Sequence, residues 1–338
     1  MWDDKRIDPA RLCRFAGRAE PLSLAERCRA LLAEQRSVWP RLAEGCEALD
    51  RVETKTVQLD GWPVTVQFNP ARAASSLARV DAASIAQRPC FLCVQNTPPE
   101  QRALLVRDYV FLANPMPIVP EHLTVAHVRH IPQAFLDHLD EFLRCCRDLG
   151  GAFTLLYNGP QSGASAPDHM HWQAAPAGSA PIERCNQDCA VLTQVITRAG
   201  TRVALLADAN DEQQRSRLLF VICGRHEADV ARVMRALVEG LPQPGAGGEP
   251  LMNLLAHYQD EAWTIILFPR AVHRPACYFA EGPSQMLLSP GIMDMAGLVI
   301  TIRREDFDRA DRNVLTAVYR EVTCPAERCL AAMSRVRS

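Results

Sequence analysis

Apolar positions in the first part of the chain fall at Leu24, Cys28, Leu31 and Leu32, with no Gly or Pro between them. That near-helical spacing predicts a helical segment over residues 1–48. From Thr56 the period drops to two. Residues 56–68 alternate on either side of Asp60-Gly61, the signal of a hairpin. Asn69-Pro70-Ala71-Arg72 and a pair of cysteines then occupy a loop-rich stretch. Residues 109–113 and 122–126 read as strands separated by the turn Asn114-Pro115-Met116-Pro117. Phe135, Leu136, Leu139, Phe142 and Leu143 mark an amphipathic helix over 132–148 that Gly150-Gly151 ends. A strand over 153–157 leads into a loop of small residues, 158–166.

A second unit repeats the order. A strand at 218–223, a helix at 227–241, a loose linker at Gly245-Ala246-Gly247-Gly248 and strands at 263–268 and 297–302 follow one another. Strand–helix–strand order occurring twice predicts an α+β fold in two halves rather than a doubly wound parallel sheet. No short-period repeat is visible, which excludes a solenoid.

The 338 residues have 48% hydrophobic and 22% charged composition, ordinary for a globular chain. Lys+Arg 37 against Asp+Glu 39 gives a net charge of -2, so no basic surplus points to nucleic acid. No apolar run approaches the roughly 20 residues of a membrane span. The opening residues 1–6 lack a secretory apolar stretch, and the expectation is a cytoplasmic protein with no membrane partner. Thirteen cysteines are then read as reduced rather than disulfide-paired. Cys13, Cys28, Cys46, Cys223 and Cys277 stand singly, and Cys145-Cys146 and Cys185/Cys189 lack metal-ligand spacing. Only Cys90-Phe91-Leu92-Cys93 has the two-residue gap that lets two thiolates share one tetrahedral ion.

The densest chemistry lies in residues 158–173. Gly, Ala and Ser let backbone N–H groups approach an anion, and Ser162 and Ser165 add hydroxyl donors. His169, His171 and Gln173 alternate, so an extended strand would present all three on one face. Two imidazoles and a carboxamide beside a donor-rich loop suit phosphoryl chemistry: one imidazole attacks phosphorus, and the amide steadies the charged oxygens. Arg72 and Arg270 are further candidates for phosphate charge.

Ser162-Gly163-Ala164-Ser165 followed by His169-Met170-His171-Trp172-Gln173 resembles the histidine-triad superfamily, in its transferase branch. That branch holds galactose-1-phosphate uridylyltransferases, diadenosine tetraphosphate phosphorylases and GDP-hexose phosphorylases. The segment 122–130 resembles the strand and following histidine of the family, and 268–270 with 289–307 is similar to the second half of the phosphorylases. The likeness spans about residues 55–310 and leaves 1–48 and 190–215 unexplained.

The resemblance implies two triad-like halves, each an antiparallel sheet with packed helices. Beyond the helical segment that the spacing gives over 1–48, it implies a catalytic half over 49–205 and a degenerate half over 206–338, since no second His-x-His follows. His171 would be the nucleophile that forms a nucleotidyl-histidine. Gln173 would bind the phosphoryl oxygen; relatives with a third histidine there are commonly hydrolases, so Gln favours transfer. Asn158, Ser162, Gly163, Ala164, Ser165 and Arg72 would bind substrate. Cys90, Cys93, His130 and His169 would hold a structural zinc, with His122 and His127 as rivals for the third place. The substrate implied first is a dinucleoside polyphosphate or adenylylsulfate with inorganic phosphate as acceptor. The alternatives are an NDP-hexose phosphorylase or uridylyltransferase, and a zinc-stabilised nucleotide-binding protein without turnover. A homodimer is implied by relatives alone.

Overall fold

The computed structural model describes residues 2–73, 81–184, 191–210, 215–244 and 248–337. The first 48 residues are largely helical as the spacing predicts, in α1 (Pro9–Ala16), α2 (Leu24–Val38) and α3 (Pro40–Leu49). A capping box starts α2: Ser23 Oγ accepts from the Glu26 N–H while the Glu26 carboxylate accepts from the Ser23 N–H. The remaining long helices are α4 (Leu139–Leu149), α5 (Glu227–Gly240), α6 (Arg312–Val322) and α7 (Ala326–Arg337).

The strands of the first part are β1 (Glu53–Val57), β2 (Val64–Phe68), β3 (Ala103–Val106), β4 (Tyr109–Ala113), β5 (Leu123–His127), β6 (Phe153–Asn158) and β7 (His171–Pro176). Those of the second are β8 (Val191–Arg198), β9 (Thr201–Ala207), β10 (Leu218–Gly224), β11 (Met252–Gln259), β12 (Ala262–Pro269) and β13 (Leu298–Thr301). Ten of them form one sheet in the order β3-β4-β5-β7-β6-β11-β12-β10-β9-β8, and every neighbouring pair is antiparallel.

The strand order, read inward from either edge, is the same. In each half the third strand is followed by a helix, α4 or α5, before the chain returns at the centre. Two α+β units are therefore joined edge to edge through β6 and β11, where Asn158 faces Asn253. They differ at one connection. The stretch from β6 to β7 is the long loop of small residues, whereas β11 turns into β12 through Asp260 and Glu261, both at positive φ. At this connection the second half thus has no loop in which to build a site.

The 56–68 hairpin forms but does not join this sheet. β2 pairs with β1 and runs parallel to β13, making a separate three-stranded sheet. The anticipated boundary at 205/206 falls inside β9, whose pairing with β8 and β10 places residues 191–205 in the second sheet half. Strands β3, β8, β9 and β11 had no counterpart in the pattern; β11 is buried on both faces through Met252–Ala256, which erases alternation. Cys185, Cys189 and the linker residues 245–247 lie outside the described residues. Among the described residues no helix is long and apolar enough to cross a membrane.

Two cores flank the large sheet. One gathers Phe135, Phe142, Trp172, Phe220 and Met333 under α2, α4, α5 and α7. The other gathers Val64, Val66, Leu156, Ala175, Leu298 and Tyr319 under the three-stranded sheet and α6. The site lies on this second face.

Candidate functional site

β7 is a central strand, paired with β5 and β6. Its Trp172 points to the helical face, stacked on Tyr109 at 4.1 Å between ring centroids. Alternation then turns His171 and Gln173 to the opposite face. His169 differs from the expectation. It precedes the strand, in the turn that leads into it, and its ring reaches the cysteine pair instead of standing in line with the other two.

His171 is buried and tightly held. Its N–H donates to Gln133 Oε1 at 2.9 Å, and Gln133 Nε2 donates to the carbonyls of His171 and Asn158. Its Nδ1 lies 2.8 Å from the His169 carbonyl oxygen. A carbonyl only accepts, so Nδ1 carries the proton and Nε2 is left with its lone pair. Burial pushes the imidazole down to about 4, with the neighbouring His169 adding to the effect. The ring is neutral at pH 7 and lines the larger of two pockets. Its Nε2 lone pair is free of a proton in this tautomer.

Gln173 is aimed by a residue that the sequence had offered only as a rival metal ligand. His122 Nδ1 accepts from the Ile118 N–H at 3.3 Å, so its Nε2 bears the proton and donates to Gln173 Oε1 at 2.8 Å. Burial and the charge of Arg72 push His122 down to about 4, which keeps it neutral. The oxygen of the amide is thus occupied, and its NH₂ remains for the pocket.

Two pockets meet at Arg72, Ser165 and Gln173. The larger, about 350 Å³, holds His171, Arg72, Arg88 and Thr124. The smaller, about 90 Å³, is lined by Asn158, Gly163, Ala164, Ser165, His273, Arg274 and Ser289. The loop that divides them turns at Gly163, whose φ of +102 favours glycine. Asn158 organises the loop: its Oδ1 accepts from Asn253 Nδ2 at 2.8 Å and from the Ile292 N–H at 2.7 Å.

Other expected residues sort unevenly. Arg72 is placed at the junction of the pockets and donates to the Met116 carbonyl. Ser162 lines neither pocket; it is fully buried beneath the loop, with its carbonyl accepting from Asn253 Nδ2. Arg270 is likewise a structural residue, buried and donating to the carbonyls of Val322, Pro290, Val272 and His273 and to Asn253 Oδ1. Arg88, which the sequence did not single out, donates to the Ser165 carbonyl at 2.6 Å and pairs with Asp168 at 3.7 Å. Its place two residues before Cys90 was the only available signal.

The sequence-derived ligand set converges. One atom from each of Cys90, Cys93, His130 and His169 lies within 4.8 Å of the others. Cys90 Sγ is 3.3 Å and Cys93 Sγ 3.6 Å from His169 Nδ1, and Cys93 Sγ is 3.2 Å from His130 Nδ1. Ligand bonds of 2.0–2.3 Å around a tetrahedral ion put neighbouring donors about 3.5 Å apart, so the set fits. His169 Nε2 lies 2.8 Å from the His127 carbonyl, which fixes the proton there and leaves Nδ1 for a metal. His127 and His122 are not part of this cluster: the first has its Nδ1 in contact with Arg129 and the second serves Gln173. These four residues can hold a metal ion.

A family model described as a domain of unknown function, DUF4922, matches residues 31–176. No curated protein matches the sequence. The solved structure of yeast Ap4A phosphorylase Apa2 in complex with AMP aligns with 87% of this chain and 97% of its own, at 17% identity and a TM-score of 0.52. The same yeast enzyme in complex with Ap4A aligns over 87% and 97%, at 18% identity and a TM-score of 0.50. The α+β architecture in two joined halves, with His171 and Gln173 on an interior strand of the first, is thus similar in fold to the yeast Ap4A phosphorylase.

Proposed function

We propose that the protein is a nucleotidyltransferase that works as a phosphorylase, cleaving a dinucleoside polyphosphate or adenylylsulfate with inorganic phosphate as acceptor. The observation that carries this reading is the tautomer of His171, whose Nε2 lone pair belongs to a neutral ring on the wall of a cleft beside Gln173 and Arg72. Nε2 attacks the α-phosphorus, and the bond from phosphorus to the bridging oxygen breaks, the electrons leaving with the distal phosphate or sulfate. An oxygen of the acceptor phosphate then attacks the same phosphorus and breaks the N–P bond, returning the lone pair to His171. The Gln173 NH₂ and the N–H groups of Gly163 and Ser165 stabilise the negative oxygens, and Arg72 offsets their charge. The likeness to a phosphorylase fold that has been solved with AMP and Ap4A supports this choice of substrate class.

In the same reading the catalytic work is confined to the first half, and the second half supplies the far wall of the smaller pocket through His273, Arg274 and Ser289. A zinc ion on Cys90, Cys93, His130 and His169 takes no part in bond breaking and clamps the turn that delivers His171. The test is incubation with nucleotides labelled at the α-phosphate. An acid-labile, alkali-stable label on the wild type that is absent from His171→Ala supports the reading. Phosphate-dependent cleavage across dinucleoside polyphosphates, adenylylsulfate and NDP-hexoses then selects the substrate. Nucleotide binding with neither label nor cleavage would mean a binding protein instead.

A further inference from the structure

The N-terminal helical segment has no part in the chemistry described so far, yet it reaches the larger cleft. Trp39, at the junction of α2 and α3, is buried against Leu42 and Ala113 and lines the cleft together with Arg41. Helix α3 is seated close to the turn that forms the rim. A Cβ at Gly45 would lie 2.2 Å from the Pro115 carbonyl oxygen, and Asn114, Pro115 and Met116 all line the same cleft.

Arg41 is exposed, and among the described residues it makes no hydrogen bond or ion pair. The lining holds three arginines, Arg41, Arg72 and Arg88, and no carboxylate. Arg72 and Arg88 are tied to the carbonyls of Met116 and Ser165, near the reacting end. That end is marked by Arg72, Ser165 and Gln173, which the two pockets share. Arg41 is absent from the shared set. It enters the cleft with Trp39 from the start of α3, the helix that packs on the rim at Pro115. Phe91, whose ring meets the Arg88 guanidinium at 5.6 Å, is 46% exposed on the wall of the same cleft, an apolar surface suited to a planar group.

We propose that Arg41 is a specificity-determining residue, which donates from its guanidinium to the acceptor edge of a nucleobase that stacks on Phe91. This rests on the nucleotide reading given above. A guanidinium offers several donors in a fixed fork and no acceptor, so it rewards bases that present neighbouring acceptors and penalises those that present donors. Because Arg41 has no intramolecular partner, replacing it removes a ligand contact without unpairing any group of the protein.

The experiment is calorimetric titration of wild type, Arg41→Ala and Arg41→Lys with AMP, GMP, UMP, CMP and inorganic pyrophosphate, with thermal midpoints as a check on folding. The expected result is a loss of about tenfold in affinity for the best-bound nucleotide in Arg41→Ala, with the four bases brought closer together and pyrophosphate unchanged. Arg41→Lys should keep the charge but lose most of the discrimination between bases. Equal affinities in wild type and Arg41→Ala would overturn the proposal. So would a uniform loss that includes pyrophosphate, which would reveal only long-range charge. A wild type that binds pyrophosphate but none of the nucleotides would overturn the nucleotide reading itself, and this assignment with it.

Discussion

His122 Nε2 and Gln173 Oε1 lie 2.8 Å apart, and the backbone N–H of Ile118 on the other side of the imidazole decides which atom donates. The histidine therefore sets the direction of the carboxamide beside the nucleophile. Without it the amide could present its oxygen to the phosphate, a repulsive arrangement. Removing one such donor from a reacting oxyanion commonly costs about 10²–10³ in turnover. We expect Gln173→Ala to lose on that order and His122→Ala roughly tenfold, with nucleotide affinity little changed in both. Since the two residues act as a unit, the double variant should be no slower than Gln173→Ala. Rates that multiply in the double variant would show that His122 acts independently of the amide.

The Cys90, Cys93, His130 and His169 cluster makes a second prediction. Elemental analysis should find about one zinc per chain, lost from Cys90→Ser/Cys93→Ser. His169 lies two residues before His171 in the turn entering β7, and its carbonyl orients the nucleophile's ring. Loss of the ion should therefore lower the thermal midpoint first and turnover as a consequence. Metal-free protein with an unchanged midpoint would make these residues an ordinary buried cluster.

The strand of the candidate site was legible because its information is local. A run of small residues followed by alternating His and Gln carries both backbone geometry and chemistry within sixteen residues, 158–173. The ligand set was legible only through likeness to relatives, since spacing alone offered His122 and His127 as equal rivals for the third place. What failed was long-range. Ser162 has the right chemistry in the right loop, but the loop's turn sends it beneath the surface. Arg270 resembled a phosphate ligand, yet its guanidinium is consumed by backbone carbonyls brought together from 272–322. The pairing of β2 with β13, some 230 residues later, leaves no local pattern at all. Nor does the contact of α3 with the pocket rim.

That contact gives a third prediction, at Gly45. In a helix interior Ala is favoured over Gly by about 1 kcal/mol, so propensity alone makes Gly45→Ala stabilising. Here the new methyl would sit 2.2 Å from the Pro115 carbonyl oxygen, and backbone must move to admit it. Overpacking of this kind costs about 1–3 kcal/mol, which exceeds the gain. We expect a less stable protein, with weaker nucleotide binding because the displaced turn carries the Met116 carbonyl that holds Arg72. Gly151→Ala, where the nearest atom is 3.6 Å away, is the control. A Gly45→Ala protein more stable than the parent would show that α3 and the rim are not in firm contact.

The last prediction concerns Glu249, which ties the loop before β11 to the catalytic half. Its carboxylate accepts from the Phe135 N–H at 2.6 Å and from the Tyr157 hydroxyl at 2.8 Å. Burial nevertheless dominates and pushes the group up to about 7, with the charge of Asp137 adding to the shift. The folded protein thus holds a proton that the unfolded chain releases near pH 4.5. Stability from this group is full below that value and declines as the pH rises towards 7, by about 3 kcal/mol in all. Glu249→Gln keeps an oxygen acceptor for Phe135 and Tyr157 but cannot ionise. Urea midpoints measured from pH 5 to 8 should therefore fall for the parent and fall distinctly less for the variant, so that the difference between them shifts in favour of Gln as the pH rises. Two curves that run parallel across this range would show that Glu249 is not protonated in the folded protein, and that its two donors outweigh its burial.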